Sequence, residues 1–325
     1  MNICVIGCGR WGSLITWYLD RVGHRVTLYG RSSSKHMQAF LATRKNDLLA
    51  LPTSVALTTE LSAVEEAETI VISIGSQGLQ KLMEELAAYE LKNKTFVLCM
   101  KGLEIGTGRR LSEIARANLD GSNHVAVWLG PGHVQEFYRG VPNCMVIDSD
   151  EEDTKKRLVE AFSGDLIRFY YGTDLIGNEV GAAAKNVVGI AAGLLDGLHL
   201  GSLKGALMSR GTREVARLIC AMGGSELSAY GLCHLGDYEA TVFSKYSHNR
   251  QFGENFAKGE PYHDLAEGYY EDMYDLFHAR GEVKFIVAEA DAKPLSAAMF
   301  MLVGSEIVYL LTSSPQFPAS SVRIS

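Results

Sequence analysis

The sequence has few of the features that mark secreted, metal-binding, nucleic-acid-binding or membrane proteins. Its six cysteines form no CxxC pair and no zinc-finger spacing, and no secretory leader is recognisable, so we expect reduced thiols in a cytoplasmic protein. Lys and Arg total 31 against 38 Asp and Glu, and the net charge of −7 argues against nucleic acid as a partner. The most apolar segment, Ser296–Leu311, is shorter than the ~20 residues of a membrane span and contains Glu306, so we predict a buried helix there. We predict no metal site.

The length of 325 residues and the apolar fraction of 47% indicate a globular chain of about two domains. In the first half, short apolar runs that favour strands alternate with helical patterns. The predicted strands are Ile3–Ile6, Arg25–Tyr29, Ser54–Thr59, Thr69–Ile74, Thr95–Met100, Val125–Leu129 and Asn143–Ile147. The predicted helices are Trp11–Arg21, Gln77–Tyr89 and Gly108–Asn118. This alternation is typical of a parallel sheet covered by helices on both faces.

The second half has a different pattern, in which strand signals become rare and long helical patterns follow one another. These patterns are Leu175–Leu198, Ser202–Met222, Glu267–Ala279 and Ser296–Leu311. Gly172 interrupts the pattern between the halves. We therefore predict an α/β domain over residues 1–173 and an all-α domain over residues 174–325.

A glycine-rich turn, Gly7-Cys8-Gly9-Arg10-Trp11-Gly12, follows the first predicted strand and opens the first helix. In this GxGxxG pattern Gly7 permits a tight turn, Gly9 lets a pyrophosphate approach the backbone, and Gly12 lets the helix pack close to the strand. The diphosphate would lie at the positive end of the helix. The pattern predicts a Rossmann-type domain that binds a dinucleotide through Gly7, Gly9, Arg10, Trp11 and Gly12; the alternative is a structural turn without a ligand.

The end of the second predicted strand bears on the choice between NAD and NADP. An acidic residue there would bind the ribose 2′-hydroxyl of NAD, but the run from Tyr29 to Lys35 has no carboxylate. Arg31 and Lys35 could instead bind a 2′-phosphate. We therefore favour NADP slightly over NAD, with a solvated basic loop as the alternative.

Two polar clusters interrupt the helical half. Lys185 lies in a run of small and apolar residues, where loss of hydration would lower the pKa of its amine and make it a candidate general base. Its alternative is an ordinary lysine whose amine reaches solvent. The short run Ser247-His248-Asn249-Arg250 offers hydroxyl, imidazole, amide and guanidinium groups that suit a phosphate, or else it is a solvated helix start.

Taken together, these motifs resemble those of the NAD(P)-dependent glycerol-3-phosphate dehydrogenases, from residue 1 to about residue 280. Seven elements carry the resemblance in one order: GCGRWG, Met100-Lys101-Gly102-Leu103-Glu104, Gly130-Pro131-Gly132-His133, AAKNVVGIAAGLLDGL around Lys185, Leu207-Met208-Ser209-Arg210-Gly211, Gly236-Asp237 to Thr241 with SHNR, and Ala266-Glu267-Gly268.

The resemblance implies a reaction and a role for each matched residue. Hydride would move between the nicotinamide and C2 of dihydroxyacetone phosphate or glycerol 3-phosphate, and Lys185 would exchange the proton, with Lys101 and Asp237 as catalytic partners. The implied substrate-binding residues are Lys101, Gly130, Lys185, Asp237, Thr241, Ser247, His248, Asn249 and Arg250. The resemblance adds Lys101, Val134, His248 and Glu267 to the cofactor-binding residues of the glycine turn and Arg31.

The chain departs from the family pattern at two positions of the implied site. The family usually has an arginine at the position of His248, and a serine at the position of Gly132. Two alternatives therefore stay open: a related two-domain reductase of another small hydroxy acid or phosphorylated ketone, and a catalytically silent NAD(P)-binding sensor. We expect a small phosphorylated three-carbon substrate, and a homodimer is one option for the assembly.

Overall fold

The computed structural model describes residues 1–244, 247–259, 283–290, 293–303 and 306–309 of the chain. Residue Glu267 and the predicted helix Glu267–Ala279 lie outside these described residues.

An eight-stranded sheet forms the first half, as the succession of apolar runs predicts. Its strands are β1 (Asn2–Ile6), β2 (Arg25–Tyr29), β3 (Ala56–Thr58), β4 (Thr69–Ile72), β5 (Thr95–Leu98), β6 (His124–Leu129), β7 (Asn143–Asp148) and β8 (Ile167–Tyr171). They lie in the order β3-β2-β1-β4-β5-β6-β7-β8. Strands β2 and β3 extend the sheet to one side of β1, and β4 and the later strands extend it to the other side. The carboxyl ends of β1 and β4 therefore border the switch point at which such sheets bind a ligand.

The pairing of β6 with β7 is antiparallel, whereas the sequence predicted a parallel sheet throughout. Between these strands the only described helix is α5 (Val134–Tyr138), which has five residues. A parallel connection needs a crossover of about a dozen residues or more, usually a longer helix, so the chain returns antiparallel on the same edge. Strand β8, which the sequence did not predict, pairs parallel with β7.

Helices cover both faces of the sheet. They are α1 (Arg10–Arg21), α2 (Lys35–Thr43), α3 (Leu79–Ala87), α4 (Leu111–Asn118), α5 and α6 (Glu152–Phe162). On one face Tyr18 and Trp128 are buried against Phe162, and the Tyr18 hydroxyl donates to the Phe162 carbonyl at 2.5 Å. On the other face Met83 and Ile114 pack against the strands. The α/β class is confirmed, while α2 and α6 were not predicted.

The described residues between 175 and 257 are mostly helical. The helices are α7 (Leu175–Gly197), α8 (Lys204–Ala221), α9 (Asp237–Phe243) and α10 (His248–Ala257), and one turn of π-helix, Leu232–Gly236, leads directly into α9. Helices α7 and α10 approach so closely that a Cβ atom at Gly193 would collide with the Arg250 carbonyl, and one at Gly253 with the Ile190 carbonyl. No helix in the described residues is long and apolar enough to cross a bilayer.

The predicted helix Ser296–Leu311 is wrong. A three-stranded antiparallel sheet, β9 (Val283–Ala290), β10 (Lys293–Val303) and β11 (Glu306–Tyr309), lies in this region instead. Continuous apolar runs have no periodicity that separates a buried helix from a buried strand, and the aromatic and β-branched residues of the segment favour strands.

Candidate active site

The glycine-rich turn between β1 and α1 has the geometry that a dinucleotide requires. Gly7 has φ +115°, and a Cβ atom there would collide with the Ser73 carbonyl, while a Cβ atom at Gly12 would collide with the Gly7 carbonyl. The Cβ position of Gly9, in contrast, faces open space with no described atom within 4 Å. Gly7 and Gly12 therefore shape the turn, and Gly9, the N-cap of α1, leaves room for a diphosphate at the positive helix end.

The end of β2 supplies the predicted basic residues. Arg31 lies just beyond β2, with its guanidinium 3.4 Å from the Glu85 carboxylate and its side chain 57% exposed. Ser34 caps α2 by accepting from the Met37 amide at 3.4 Å, and Lys35 begins that helix. An exposed arginine with a weak partner beside the glycine turn can interact with the adenosine end of a dinucleotide.

Lys185, Lys101 and Asp237 form the charged centre of the candidate site. The Lys185 ammonium donates to Asp237 Oδ1 at 2.8 Å, and the Lys101 ammonium binds Asp237 Oδ2. Asp237 is buried, and the lysine side chains are 12% and 17% exposed for Lys185 and Lys101. Three charges from β5–α4, α7 and α9 thus meet in a partly desolvated cluster with one net positive charge.

Burial and neighbouring charges together hold the pKa values of both Lys185 and Asp237 below their ordinary values. Burial, aided by the neighbouring charge of Lys101, lowers the pKa of Lys185 to about 8, while Asp237 acts in the raising direction. For Asp237, burial raises the pKa, but the attraction of Lys101 and Lys185 outweighs burial and keeps it below its ordinary value. A proton can therefore leave and return to Lys185 near neutral pH, while the carboxylate stays ionised.

Thr241 and Gly130 complete the surroundings of the two amines. The Lys185 ammonium donates to Thr241 Oγ1 at 3.0 Å, and the Thr241 hydroxyl in turn donates to the Asp237 carbonyl at 2.7 Å. The Lys101 ammonium donates to the Gly130 carbonyl at 3.0 Å. Each amine is held by two acceptors, so both are oriented before a ligand binds.

The SHNR run begins α10 and lies beside the lysine helix. Ser247 is the N-cap and accepts from the Arg250 amide at 3.3 Å. The Asn249 amide donates to the Asn186 side chain at 3.0 Å, next to Lys185 in sequence. The Arg250 guanidinium points elsewhere, to Asp196 at 2.7 Å and Glu254 at 2.8 Å, where it joins α10 to α7.

A contact between the two halves of the chain lies at the start of α10. The Arg10 guanidinium, from the glycine turn, is within hydrogen-bond distance of His248 Nε2. Burial lowers the pKa of His248, and the Arg10 charge lowers it further. His248 is therefore a neutral acceptor for the Arg10 guanidinium, which has further N–H groups to offer.

The residues after Gly130 lie close to the same cluster. His133 is the N-cap residue of α5, and its Nδ1 lies 3.6 Å from Glu136 Oε2. Burial lowers the pKa of its imidazole. The Lys185 charge also lowers this pKa, while Glu136 and Asp237 act in the raising direction. Val134 is buried in α5, and the Trp11 and Phe137 rings meet edge-on at a centroid distance of 6.1 Å.

Gly132 has a packing reason for lacking a side chain. A Cβ atom there would collide with the Phe137 ring, so the serine that the family pattern predicts does not fit this chain.

A buried network that was not predicted from the sequence fixes α7, the helix that carries Lys185. Glu179 of α7 accepts from the Ser112 amide at 2.9 Å and from Arg110 at 2.8 Å. It thereby anchors the start of α4 to α7, six residues before Lys185. A glutamate in an apolar helix was the one available signal.

Family models cover nearly the whole described chain. The one described as NAD-dependent glycerol-3-phosphate dehydrogenase N-terminus matches residues 2–155, and the one described as the C-terminus of the same enzyme matches residues 174–293.

Individual relatives agree with these matches. The glycerol-3-phosphate dehydrogenase [NAD(P)+] of Prosthecochloris aestuarii is 35% identical over 273 residues, 82% of this chain and 82% of its own. That of Chlorobium limicola is 31% identical over 329 residues, 94% of this chain and 98% of its own. The crystal structure of glycerol-3-phosphate dehydrogenase from Coxiella burnetii superposes with a TM-score of 0.79 at 27% identity, and the match covers 86% of this chain and 89% of that one. The chain belongs to the NAD-dependent glycerol-3-phosphate dehydrogenase family.

Proposed function

We propose that this protein transfers a hydride between NAD(P)H and dihydroxyacetone phosphate or sn-glycerol 3-phosphate, with Lys185 as general acid and base. The observation that carries the proposal is the Lys185 amine held at 2.8 Å from Asp237, on a helix that packs against α10, whose His248 contacts Arg10 of the glycine turn. Family membership and the names of the relatives support this choice of substrate.

The nicotinamide, when bound, supplies the hydride and thus the redox chemistry. Lys185 supplies the proton: its ammonium donates to the C2 oxygen as the ketone is reduced, and its neutral amine takes that proton back in the oxidation. Because its pKa is about 8, both forms are accessible near physiological pH. The positive charge of the ammonium also stabilises the alkoxide that develops on the C2 oxygen.

Asp237 and Thr241 keep the amine of Lys185 in place, while Lys101 contributes a second positive charge. Asp237 binds both amines, so its carboxylate fixes the separation of Lys185 and Lys101. The Gly130 carbonyl and Asp237 accept two of the three N–H groups of the Lys101 ammonium, which leaves one N–H for the substrate hydroxyl.

The start of α10 is our proposed binding region for the phosphate. Ser247, His248 and Asn249 lie at the positive end of this helix, and Asn249 reaches the residue next to Lys185. Arg250 supports this region, because its guanidinium binds Asp196 and Glu254 and so secures α10 to α7.

The cofactor is NAD or NADP, and we propose a slight preference for NADP on the basis of Arg31. Gly7, Gly9, Arg10, Trp11 and Gly12 form the proposed diphosphate region, with Val134, Lys101 and His248 nearer the nicotinamide. A division into domains 1–173 and 174–325, a cytoplasmic location and a homodimer remain proposals from the sequence.

A spectrophotometric assay tests the proposed function. Oxidation of NADH and NADPH is followed with dihydroxyacetone phosphate, for the wild type and for Lys185→Met, which removes the amine and keeps the chain length. We expect turnover by the wild type and a fall in kcat of about 10²–10⁴-fold in the variant, the usual contribution of a positioned acid–base group. Lys156→Ala, at an exposed position of α6, is the control and should retain wild-type kcat.

Three results would reject the proposal or its assignment of Lys185. Tight NAD(P)H binding without oxidation by any ketone would favour the silent sensor, and equal turnover of unphosphorylated ketones would favour the related reductase. Near-normal kcat in Lys185→Met would remove Lys185 from the chemistry.

A further inference from the structure

The positive charges of the candidate site differ in whether a carboxylate already neutralises them. Lys101 and Lys185 share Asp237, and Arg250 binds both Asp196 and Glu254. Arg10, in contrast, has no carboxylate partner within the described part of the chain; its described partner is the imidazole of His248. Arg10 therefore retains a full positive charge for an anionic ligand.

Two hydrogen bonds and two pairs of sequence neighbours connect Arg10 to Lys185, the proposed proton donor. Lys185 adjoins Asn186, the Asn186 side chain accepts from Asn249, and Asn249 follows His248, which meets Arg10. A phosphorylated three-carbon substrate has its phosphate two bonds beyond the carbon next to C2. With the C2 oxygen at Lys185, the phosphate would therefore lie along this line, toward the start of α10.

The His248 imidazole determines how Arg10 presents its guanidinium. Its Nε2 accepts one N–H, and a guanidinium has five N–H groups in a planar fork. The remaining groups suit the two-point binding of a phosphate that an ammonium cannot match. An arginine at position 248 would instead place a second guanidinium against Arg10, so histidine is the residue that is compatible with Arg10 there.

We propose that Arg10, oriented by His248, binds the phosphate of the substrate, so that the glycine turn serves both the cofactor and the substrate. This inference rests on the proposed function. The guanidinium that binds the phosphate then comes from the nucleotide-binding half of the chain, and the proton donor comes from the helical half.

Steady-state kinetics at saturating NADH test the assignment. Dihydroxyacetone phosphate and unphosphorylated dihydroxyacetone are compared as substrates of the wild type and of Arg10→Ala. We expect kcat/KM for the phosphorylated ketone to fall about 10- to 100-fold more than kcat/KM for dihydroxyacetone, the effect of one charge-assisted contact with the phosphate. The dissociation constant of glycerol 3-phosphate from the enzyme–NADH complex, measured by calorimetry, should rise by a similar factor.

A second set of variants places a guanidinium at position 248 instead of position 10. His248→Arg in the Arg10→Ala background should recover most of the lost kcat/KM, because the new arginine reaches the same region. Arg10→Lys keeps the positive charge but not the planar guanidinium, so it should retain part of the wild-type kcat/KM for dihydroxyacetone phosphate. It also provides a reading if Arg10→Ala does not fold. Arg21→Ala, at the far end of α1 and paired with Asp165, is the matched control and should behave as the wild type.

Two results would overturn the assignment of the phosphate to Arg10. An unchanged ratio of kcat/KM for the two ketones in Arg10→Ala overturns the assignment. So does a higher dissociation constant for NADH with an unchanged KM for dihydroxyacetone phosphate. If the wild type itself fails to reduce dihydroxyacetone phosphate, the proposed function fails, and that result is seen before any Arg10 variant is assayed.

Discussion

The Lys185 ammonium donates a hydrogen bond of 2.8 Å to Asp237, from which it is separated by 52 residues of sequence. Asp237 binds Lys101 through its other carboxylate oxygen. A single buried carboxylate therefore joins amines from two separate halves of the chain. The ionisation of Lys185 depends on how this shared carboxylate balances burial against the neighbouring charge.

The pH dependence of catalysis should follow Lys185 in opposite senses for the two directions. The pKa is about 8, so the ammonium that ketone reduction needs dominates below this value and is lost above it. Reduction should therefore fall, and oxidation of glycerol 3-phosphate should rise, as pH increases through about 8. Profiles of kcat/KM from pH 6 to 10 in both directions check this; a reduction profile that stays flat to pH 10 would contradict it.

Replacing Asp237 by asparagine should shift that profile and weaken the fold. Two buried ammonium groups would lose their common counter-charge, which lowers the pKa of Lys185 and moves the reduction limb to more acidic pH. Removing one partner of a buried ion pair costs about 3–5 kcal/mol in the free energy of unfolding. Urea unfolding and the pH profile measure both effects, and Asp165→Asn at an exposed ion pair serves as the control. An unshifted limb would show that Asp237 does not set the ionisation of Lys185.

The glycines of the turn should separate folding from cofactor binding. Gly7→Ala introduces a methyl group against the Ser73 carbonyl at a positive φ and should cost about 2–5 kcal/mol of stability. Gly9→Ala places the methyl group in open space, so the unfolding temperature should stay near that of the wild type. It should nevertheless weaken NADH binding at least about tenfold, because the diphosphate loses a close contact worth ~1.5 kcal/mol. Thermal unfolding and fluorescence titration give the two readings, and equal NADH affinities for Gly9→Ala and the wild type would contradict the cofactor site.

The Arg31–Glu85 pair should tune the choice between NADP and NAD. The pair is long at 3.4 Å and exposed, so a 2′-phosphate can displace Glu85 at little cost. Arg31→Ala should weaken NADPH binding with little effect on NADH, and Glu85→Ala should favour NADPH by freeing the guanidinium. Dissociation constants for both cofactors test this. Equal losses of affinity for NADH and NADPH in Arg31→Ala would mean that Arg31 does not contact the 2′-phosphate.

The sequence predicted the regular elements well where packing imposes a clear pattern. The bounds of β2 and the start of α7 agree with the predicted runs. Strand β2 buries three of its five residues, Val26, Leu28 and Tyr29, and α7 is a long helix capped by Asp174. Helices α2 and α6 were not predicted, since their apolar positions are spaced among many polar ones. The edge strand β8 buries only Ile167 and Phe169 and exposes its other three residues, so it lacks the continuous apolar run of its neighbours.

The residues of the site were named from motifs, but their contacts were not predictable. Spacing along the chain carries no information on which of several polar residues faces Lys185, and only the packing of α7 against α9 selects Asp237. Arg250 was predicted to bind substrate because it lies in the SHNR run, yet its guanidinium binds Asp196 and Glu254. The orientation of a long side chain depends on neighbours that are remote in sequence.

The π-helical turn Leu232–Gly236 makes the length of its segment critical. Asp237 begins α9 directly after this wider turn, and each residue advances an α-helix by about 100°. Deleting one residue from the turn would swing the carboxylate roughly a quarter of the way around the axis of α9, away from both lysines. Variants that differ in length here would thus keep every reactive side chain and still lose the alignment of Asp237 with Lys101 and Lys185. The number of residues in this turn is therefore as important to the enzyme as the identity of its charged groups.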